Sequence, residues 1–407
     1  MSEQGNTAAS PAGLAAHLAA AGVLSPQWRP AFEMVPRHWF VPDEIWPGRL
    51  QGTGQSGLVD RRTDPDGWWE AVYSDRALTT QWDDGAHTGP EPGRSPTCSS
   101  SMPRMVAGML DDLSLKPGHR VLEIGTGEGW NTALLCHRTG EANVVTVETD
   151  GQLAQRAQQR LAEHGLTPEC VLGDGAHGHA DGAPYDRIIA TCSMSHIPTQ
   201  WLEQSRPGTV IVAPWAPTYG SEAVVRLTVT ERGAAQGRFM RSSAFMRLRQ
   251  QRRHSRPIRE YLGGREWPAG AEVGKSSLSP DAVGPWERMF AVGVQLEGVF
   301  VWPERHADGT YRLWLRDQDV TSWASVDWAP GIDRYRTAQS GPRRLWDEIE
   351  AAYGWWQEMG RPGIEEFGLS VSAADGHRVW LRSADNPVPV WRSDAADRRV
   401  TRDRQKV

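Results

Sequence analysis

Lysine is nearly missing from this chain of 407 residues: Lys116, Lys275 and Lys406 are the only ones, so arginine carries almost all the positive charge. A GC-rich coding sequence produces that bias. So does a need for bidentate carboxylate recognition, which a planar guanidinium does better than an ammonium. Cysteine is scarce too. Cys98, Cys136, Cys170 and Cys192 form no C-x-x-C pair and all lie in the first half, which excludes a disulfide framework and a cysteine-based zinc site. No apolar run approaches the roughly 20 residues that cross a bilayer. The Ala-rich segment Gly13–Val23 has no basic residue before it and carries His17, so it reads as a short amphipathic helix and not as a signal peptide. A net charge of -6 gives no global attraction to nucleic acid or to an anionic membrane. The expectation is a cytoplasmic protein with neither as partner. His177 and His179, with Asp174 and Asp181, fall on a Gly-rich loop that has no second ligand cluster, so no metal is expected.

What is present is ordinary in bulk, with 39% apolar and 23% charged residues. The length exceeds one compact α/β core and implies two domains. Residues 1–10 form a polar tail. Residues 11–80 hold a helix and then a run rich in Pro and Trp. Residues 83–97 are a Gly/Pro/Asp-rich loop, of a length that is functional or disordered in most domains. From 102 the pattern becomes regular. A helix over 103–113 precedes a strand at 120–124, a glycine loop and a helix at 130–139. A strand at 143–148, a helix at 150–164 and strands near 169–172, 186–191 and 208–213 follow. Strands alternating with helices predict a parallel sheet. After about 230 the alternation stops. Strand-like pieces at Val294–Val301 and Tyr311–Arg316, one helix over 344–359 and 11 of the 20 Trp residues predict a second, α+β domain.

The chemistry concentrates at Val121–Gly129, an apolar strand ending in Glu123-Ile124 followed by Gly125, Thr126, Gly127, Glu128 and Gly129. The glycines let the backbone turn tightly and approach a ligand closely. The helix start at Trp130 offers free N–H groups and a positive dipole end. A dinucleotide fingerprint would place its third glycine one residue later. The earlier glycine and the preceding acid suit S-adenosylmethionine, which has no pyrophosphate to cradle. Glu123 would accept from its ammonium, directly or through water. Glu148, at the end of the second strand and followed by Thr149, would accept from both ribose hydroxyls. Asp174 and Gly175, after the third strand, would sit beside the adenine edge.

These runs resemble the protein L-isoaspartyl (D-aspartyl) O-methyltransferase family. The matching segments are Val35–Pro42 (VPRHWFVP), Tyr73–Leu78 (YSDRAL), Ser99–Val106 (SSSMPRMV), Val121–Trp130, Gly173–Gly175 and Ala183–Pro198 (APYDRIIATCSMSHIP), over roughly 30–230. The resemblance implies a class I Rossmann-like methyltransferase domain with a mostly parallel seven-stranded sheet. Residues 1–100 would complete that domain, 101–230 would bind S-adenosylmethionine, and 231–407 would form a C-terminal α+β accessory domain for peptide recognition. It places Ser99, Ser100, Ser101, Met102 and His196 on the substrate side, with Ser101 and the strand-ending Thr191 as catalytic candidates and S-adenosylhomocysteine as product. His196 reads more readily as a solvated or hydrogen-bonded histidine than as a catalytic one.

The family's repair enzyme is a single small domain, so the added half and the 83–97 loop are departures. The extended form resembles a branch that modifies ribosomally made peptides, graspetides or lanthipeptides. There an Asp methyl ester in a macrocyclic precursor collapses to an aspartimide, which persists or opens to isoaspartate. Leu345–Trp380 resembles the C-terminal half of the graspetide-associated members. The expected partner is therefore a modified precursor peptide, and the protein a monomer or weak homo-oligomer. The rivals are a general isoaspartyl repair enzyme with an accessory domain, a small-molecule or nucleic-acid methyltransferase, and a catalytically dead peptide-binding scaffold. Base methylation is disfavoured because Ala190-Thr191-Cys192-Ser193 replaces the Asn/Asp-Pro-Pro-aromatic run that holds a flipped base. The dead scaffold is disfavoured by the intact Glu123, Gly125, Gly127 and Glu148 set. Residues 232–259 carry nine arginines, which read as a solvated helix face, a docking surface for an acidic peptide, or a nucleic-acid contact.

Overall fold

The computed structural model describes residues 9–49, 55–252, 255–284 and 286–393. Most of the polar tail, and Arg253 of the arginine-rich stretch, lie outside them. Ser10 caps the first helix, Pro11–Ala20, by accepting from Gly13 N at 3.0 Å. An antiparallel sheet of four strands follows, β1 (Glu44–Pro47), β2 (Val59–Asp60), β3 (Leu78–Trp82) and β4 (Pro96–Ser100), in the order β2-β1-β3-β4. The 83–97 loop is thus the connection of the β3–β4 hairpin. Asp83 organises it by accepting from Arg94 N and Ser95 N at 3.0 and 2.9 Å.

The central sheet begins with β5 (Val121–Ile124), β6 (Val144–Glu148), β7 (Glu169–Leu172), β8 (Tyr185–Ala190) and β9 (Ser205–Trp215). The helices between them start where the sequence supplies caps. Asp150 accepts from Gln152 N and Leu153 N to open the Gly151–Glu163 helix. Gly140, at φ +91, ends the Trp130–Thr139 helix. The sheet continues through β10 (Glu222–Glu231) and β11 (Ala234–Ser243) as antiparallel hairpins. A five-stranded antiparallel sheet then intervenes: β12 (Glu272–Ser276), β13 (Val299–Arg305), β14 (Tyr311–Asp317), β15 (Trp323–Trp328) and β16 (Tyr335–Ser340), ordered β12-β16-β15-β14-β13. The chain finally returns to the central sheet as β17 (Phe367–Ser372) and β18 (Gly376–Leu381).

The order β18-β17-β11-β10-β9-β8-β5-β6-β7 corrects two expectations. Among the described residues the sheet has nine strands, not seven. It is half parallel: β5 pairs in parallel with β6 and β8, β6 with β7, and β8 with β9, and the other four pairings are antiparallel. The boundary at 230/231 falls inside the end of β10, which pairs with β11 across it. The separate body is the inserted sheet. Strand β13 starts later than the Val294–Val301 expectation, because the Trp286–Gly293 helix precedes it.

Two apolar layers cover the central sheet. One packs the N-terminal helices through Leu18, Trp28 and Phe32 against Leu110, Leu134 and Leu135. The other gathers Trp201, Trp215, Phe239, Phe290 and Phe367, with Phe239 and Phe290 edge to face at 4.9 Å. The Leu345–Glu358 helix joins the insert to this layer. Its Leu345, Trp346, Ile349 and Ala352 bury against the five-stranded sheet, and its Trp356 against the nine-stranded one.

Candidate functional site

Strand order reverses between β5 and β8, and in open α/β sheets the crevice beyond the carboxyl ends of such strands takes the ligand. A cavity lies there. It is walled by the glycine loop, the ends of β6 and β8, the Thr97–Ser101 run and a later segment, Phe245–Arg249 with Arg252. The loop's conformation requires its glycines. Gly125 sits at φ +90, and a Cβ there would lie 2.7 Å from Thr191 Oγ1. Gly129, at φ +97, opens the Trp130–Thr139 helix, and a Cβ on it would meet Phe40 at 3.2 Å. The result is a loop that reaches the cavity with three glycines alternating with Thr126 and Glu128.

The acids divide by role. Glu123 is completely buried and stands behind the loop, outside the cavity wall. Asn131 Nδ2, Thr132 Oγ1 and Thr146 Oγ1 donate to its carboxylate at 2.7, 2.5 and 2.7 Å. Burial pushes this carboxyl up to about 7, against the pull of those three donors. Glu123 thus braces the start of the helix from behind the loop, which leaves contact through water as the route by which it would reach a ligand ammonium. Glu148 does line the cavity. It accepts from Gly127 N, Thr149 N and Asp150 N at 2.9, 2.9 and 3.0 Å. Thr126, whose hydroxyl bonds Thr146 Oγ1, and Thr149 line it as well. Gly175 is in the wall while Asp174 is not; Asp174 accepts from Ala176 N at 2.8 Å and caps a turn. A Cβ on Gly175 would lie 2.4 Å from Ile124 Cγ2, so that glycine is required by packing.

On the opposite wall stand Ser99, Ser100 and Ser101 at the end of β4. Thr191 completes the wall, donating its hydroxyl to Gly125 O at 2.5 Å. Met102 and His196 lie outside. Met102 precedes the Pro103–Asp112 helix as its N-cap. His196 is exposed, bonds Ser195 Oγ at 3.0 Å and lies 5.3 Å, ring to ring, from His377.

The segment after β11 was not foreseen as part of the site. Ser193 N donates to Met246 O, and Leu248 N to Ser193 O, so residues 245–249 are strapped across the end of β8. Glu222 accepts from Phe245 N at 3.0 Å and fixes the start of the strap. Its far end is ionic. Arg249 reaches Asp84 at 3.1 Å and Asp150 at 3.2 Å, and Arg252 reaches Asp84 at 2.8 Å. Asp84 belongs to the 83–97 loop and adopts φ +54, so loop and strap clasp each other over the cavity. Within the arginine-rich stretch these two side chains are therefore neither a solvated helix face nor a free docking surface. Arg241 is likewise engaged, by Asp112.

Comparison with known proteins is consistent with this geometry. The family model for protein-L-isoaspartate(D-aspartate) O-methyltransferase matches residues 59–253. A protein-L-isoaspartate O-methyltransferase from Bradyrhizobium sp. (strain ORS 278) is 41% identical over 131 residues, 32% of this chain and 60% of its own. One from Ignicoccus hospitalis is 37% identical over 135 residues, 33% of this chain and 64% of its own. Protein-L-isoaspartate O-methyltransferase 2 from Polaromonas sp. is 36% identical over 153 residues, 37% of this chain and 72% of its own. The chain thus spans about 60% of the length of several of these relatives. A solved chain named protein-L-isoaspartate O-methyltransferase superposes with a TM-score of 0.50 at 20% identity, covering 92% of this chain and 100% of its own. The fold of that solved chain therefore extends beyond the matched core, and added length alone does not set this protein apart.

Proposed function

The chain belongs to the protein-L-isoaspartate(D-aspartate) O-methyltransferase family, and on that premise we propose that it is an S-adenosylmethionine-dependent carboxyl O-methyltransferase acting on isoaspartyl residues of peptides or proteins. The observation that carries this reading is a single cavity with two unlike walls. One is the bare glycine loop with the Glu148 carboxylate, and the other is the run of three serines. The first wall fits the cofactor: Gly125, Gly127 and Gly129 bring no side chain to it, and Glu148 presents acceptors at the position where a nucleoside ribose has hydroxyls to donate. When bound, S-adenosylmethionine supplies a sulfonium-activated methyl group and leaves as S-adenosylhomocysteine.

The protein's own task is then to orient and to exclude water. A carboxylate is ionised at neutral pH and needs no general base, so the site requires placement more than proton transfer. Ser101 orients the acceptor carboxylate from the serine wall. Thr191 fixes the glycine loop through Gly125 O and so holds the donor side in register. The strap and the 83–97 loop roof the cavity and limit competing water.

The test is transfer of labelled methyl from S-adenosylmethionine to a short isoaspartyl peptide and to its normal aspartyl isomer. Base-labile label on the isoaspartyl form alone supports the reading, and label on neither overturns it. A narrower reading, esterification of an Asp in a macrocyclic ribosomal peptide leading to aspartimide, is favoured by the clasp over the cavity. A cyclised precursor included in the same assay decides it: methylation of that peptide in preference to linear isoaspartyl peptide selects the narrower substrate.

A further inference from the structure

Arg37 is 1% exposed and makes six hydrogen bonds, none to a carboxylate. Its Nε donates to Ser100 Oγ at 3.0 Å. Nη1 donates to Val72 O and Ser74 O at 2.9 and 3.3 Å. Nη2 donates to Arg76 O, Ser100 O and Ser101 O at 3.1, 2.9 and 2.8 Å. The nearby Asp75 carboxylate is taken up by Arg104, through its backbone N at 2.9 Å and its guanidinium. A buried guanidinium held only by neutral acceptors is costly to desolvate, and burial brings Arg37 down to about 9. Three of its six acceptors belong to Ser100 and Ser101, which line the cavity, whereas Arg37 does not line it.

We propose that Arg37 is a positioning residue for the acceptor carboxylate, acting through the serine run. This rests on the methyl-transfer reading above. Carbonyl oxygens facing the cavity would repel an anionic acceptor. Arg37 draws those of Ser100 and Ser101 to the side away from it. The cation then stands directly behind the run, where the low local dielectric strengthens its field on an anion in the cavity. Methylation removes the substrate's negative charge, so the same field favours the carboxylate over its neutral ester and assists product release. The effect therefore belongs in peptide binding more than in cofactor binding.

The experiment compares Arg37→Lys and Arg37→Met with the wild type for peptide KM, kcat and S-adenosylhomocysteine affinity. Arg37→Met should raise the KM for an isoaspartyl peptide by about tenfold or more, the scale of a lost hydrogen-bonded charge, with cofactor affinity unchanged. Arg37→Lys, which keeps the charge but not the fork, should fall between. Unchanged peptide KM in a folded variant, or a parallel loss of cofactor affinity, overturns the proposal. Should both variants fail to fold, the wild type decides: the methyl ester of the isoaspartyl peptide should compete for the site about tenfold more weakly than the peptide itself, and equal competition overturns the proposal. A wild-type protein that methylates no isoaspartyl peptide sinks the methyl-transfer reading itself, and this inference with it.

Discussion

Replacing Asp84 by Asn isolates the ionic part of the clasp. Asn tolerates the left-handed backbone that Asp84 adopts and nearly matches its shape, so the change removes charge and little else. Two ion pairs are lost, to Arg249 at 3.1 Å and to Arg252 at 2.8 Å. The partners are 43%, 33% and 23% exposed for Asp84, Arg249 and Arg252, so each pair is screened and contributes roughly 0.5 kcal/mol. Together they contribute about 1 kcal/mol, or about fivefold in the open population of the strap. Arg249 keeps its contact with Asp150, which bounds the effect from above. Because Thr149 and the strap border the cavity, the readout is the dissociation rate of labelled S-adenosylmethionine in a chase. Asp84→Asn should release it about fivefold faster at low ionic strength. The difference should shrink toward zero at about 0.5 M salt, where the Debye length falls to a few ångströms. Equal rates at low salt, or a difference indifferent to salt, would refute the clasp as an ionic device.

Gly125→Ala sets a Cβ 2.7 Å from Thr191 Oγ1 at a φ of +90, and that hydroxyl is held by Gly125 O. Calorimetric titration should show S-adenosylhomocysteine binding weakened by about tenfold or more. Glu123 titrates near 7 when folded, so between about pH 4.3 and 7 the folded state keeps a proton that the unfolded chain has released. Its contribution to stability therefore falls as pH rises through that window, and Glu123→Gln should flatten the decline in melts at pH 5 and 8; parallel slopes would contradict the burial argument. Arg343 and Glu348 are 4% and 1% exposed and pair at 2.6 Å. Arg343→Met strands a buried carboxylate and should cost about 3–5 kcal/mol in denaturant unfolding, whereas Arg344→Met, at the more open pairs with Glu272 and Asp347, should cost about 1 kcal/mol or less.

Local pattern carried the sequence reading furthest. Val121–Gly129 announces strand, turn and helix through apolar run, glycines and cap, and the Trp130–Thr139 helix lies where its spacing puts it. What failed depends on distance in the chain. Nothing in Phe367–Ser372 says that it pairs with Ala234–Arg238, so nine strands were not visible. That Asn131, Thr132 and Thr146 would converge on Glu123 from two other elements was not legible either. Phe245–Arg249 has the alternation of an ordinary strand end, and its role over the cavity comes from two backbone bonds to Ser193. Arg37 stands in a recognisable run, yet its burial beneath the serines could not be read from composition, because arginine is a surface residue in most contexts.

The return of the chain to the central sheet has a consequence for biosynthesis. Strands β11 and β17 pair residues about 130 positions apart. While the ribosome is still making the insert, β11 is an open edge, and Phe239 and Phe290 lack the ring of Phe367 that packs against Phe290 at 5.8 Å. Such an edge is a template for pairing with another chain, and non-local closure is slow. A transcript truncated anywhere between Arg252 and β17 would therefore yield a product with the entire cavity encoded and an uncapped sheet. That product should collect in the aggregated fraction, which makes β17 and β18 a checkpoint on synthesis through the insert.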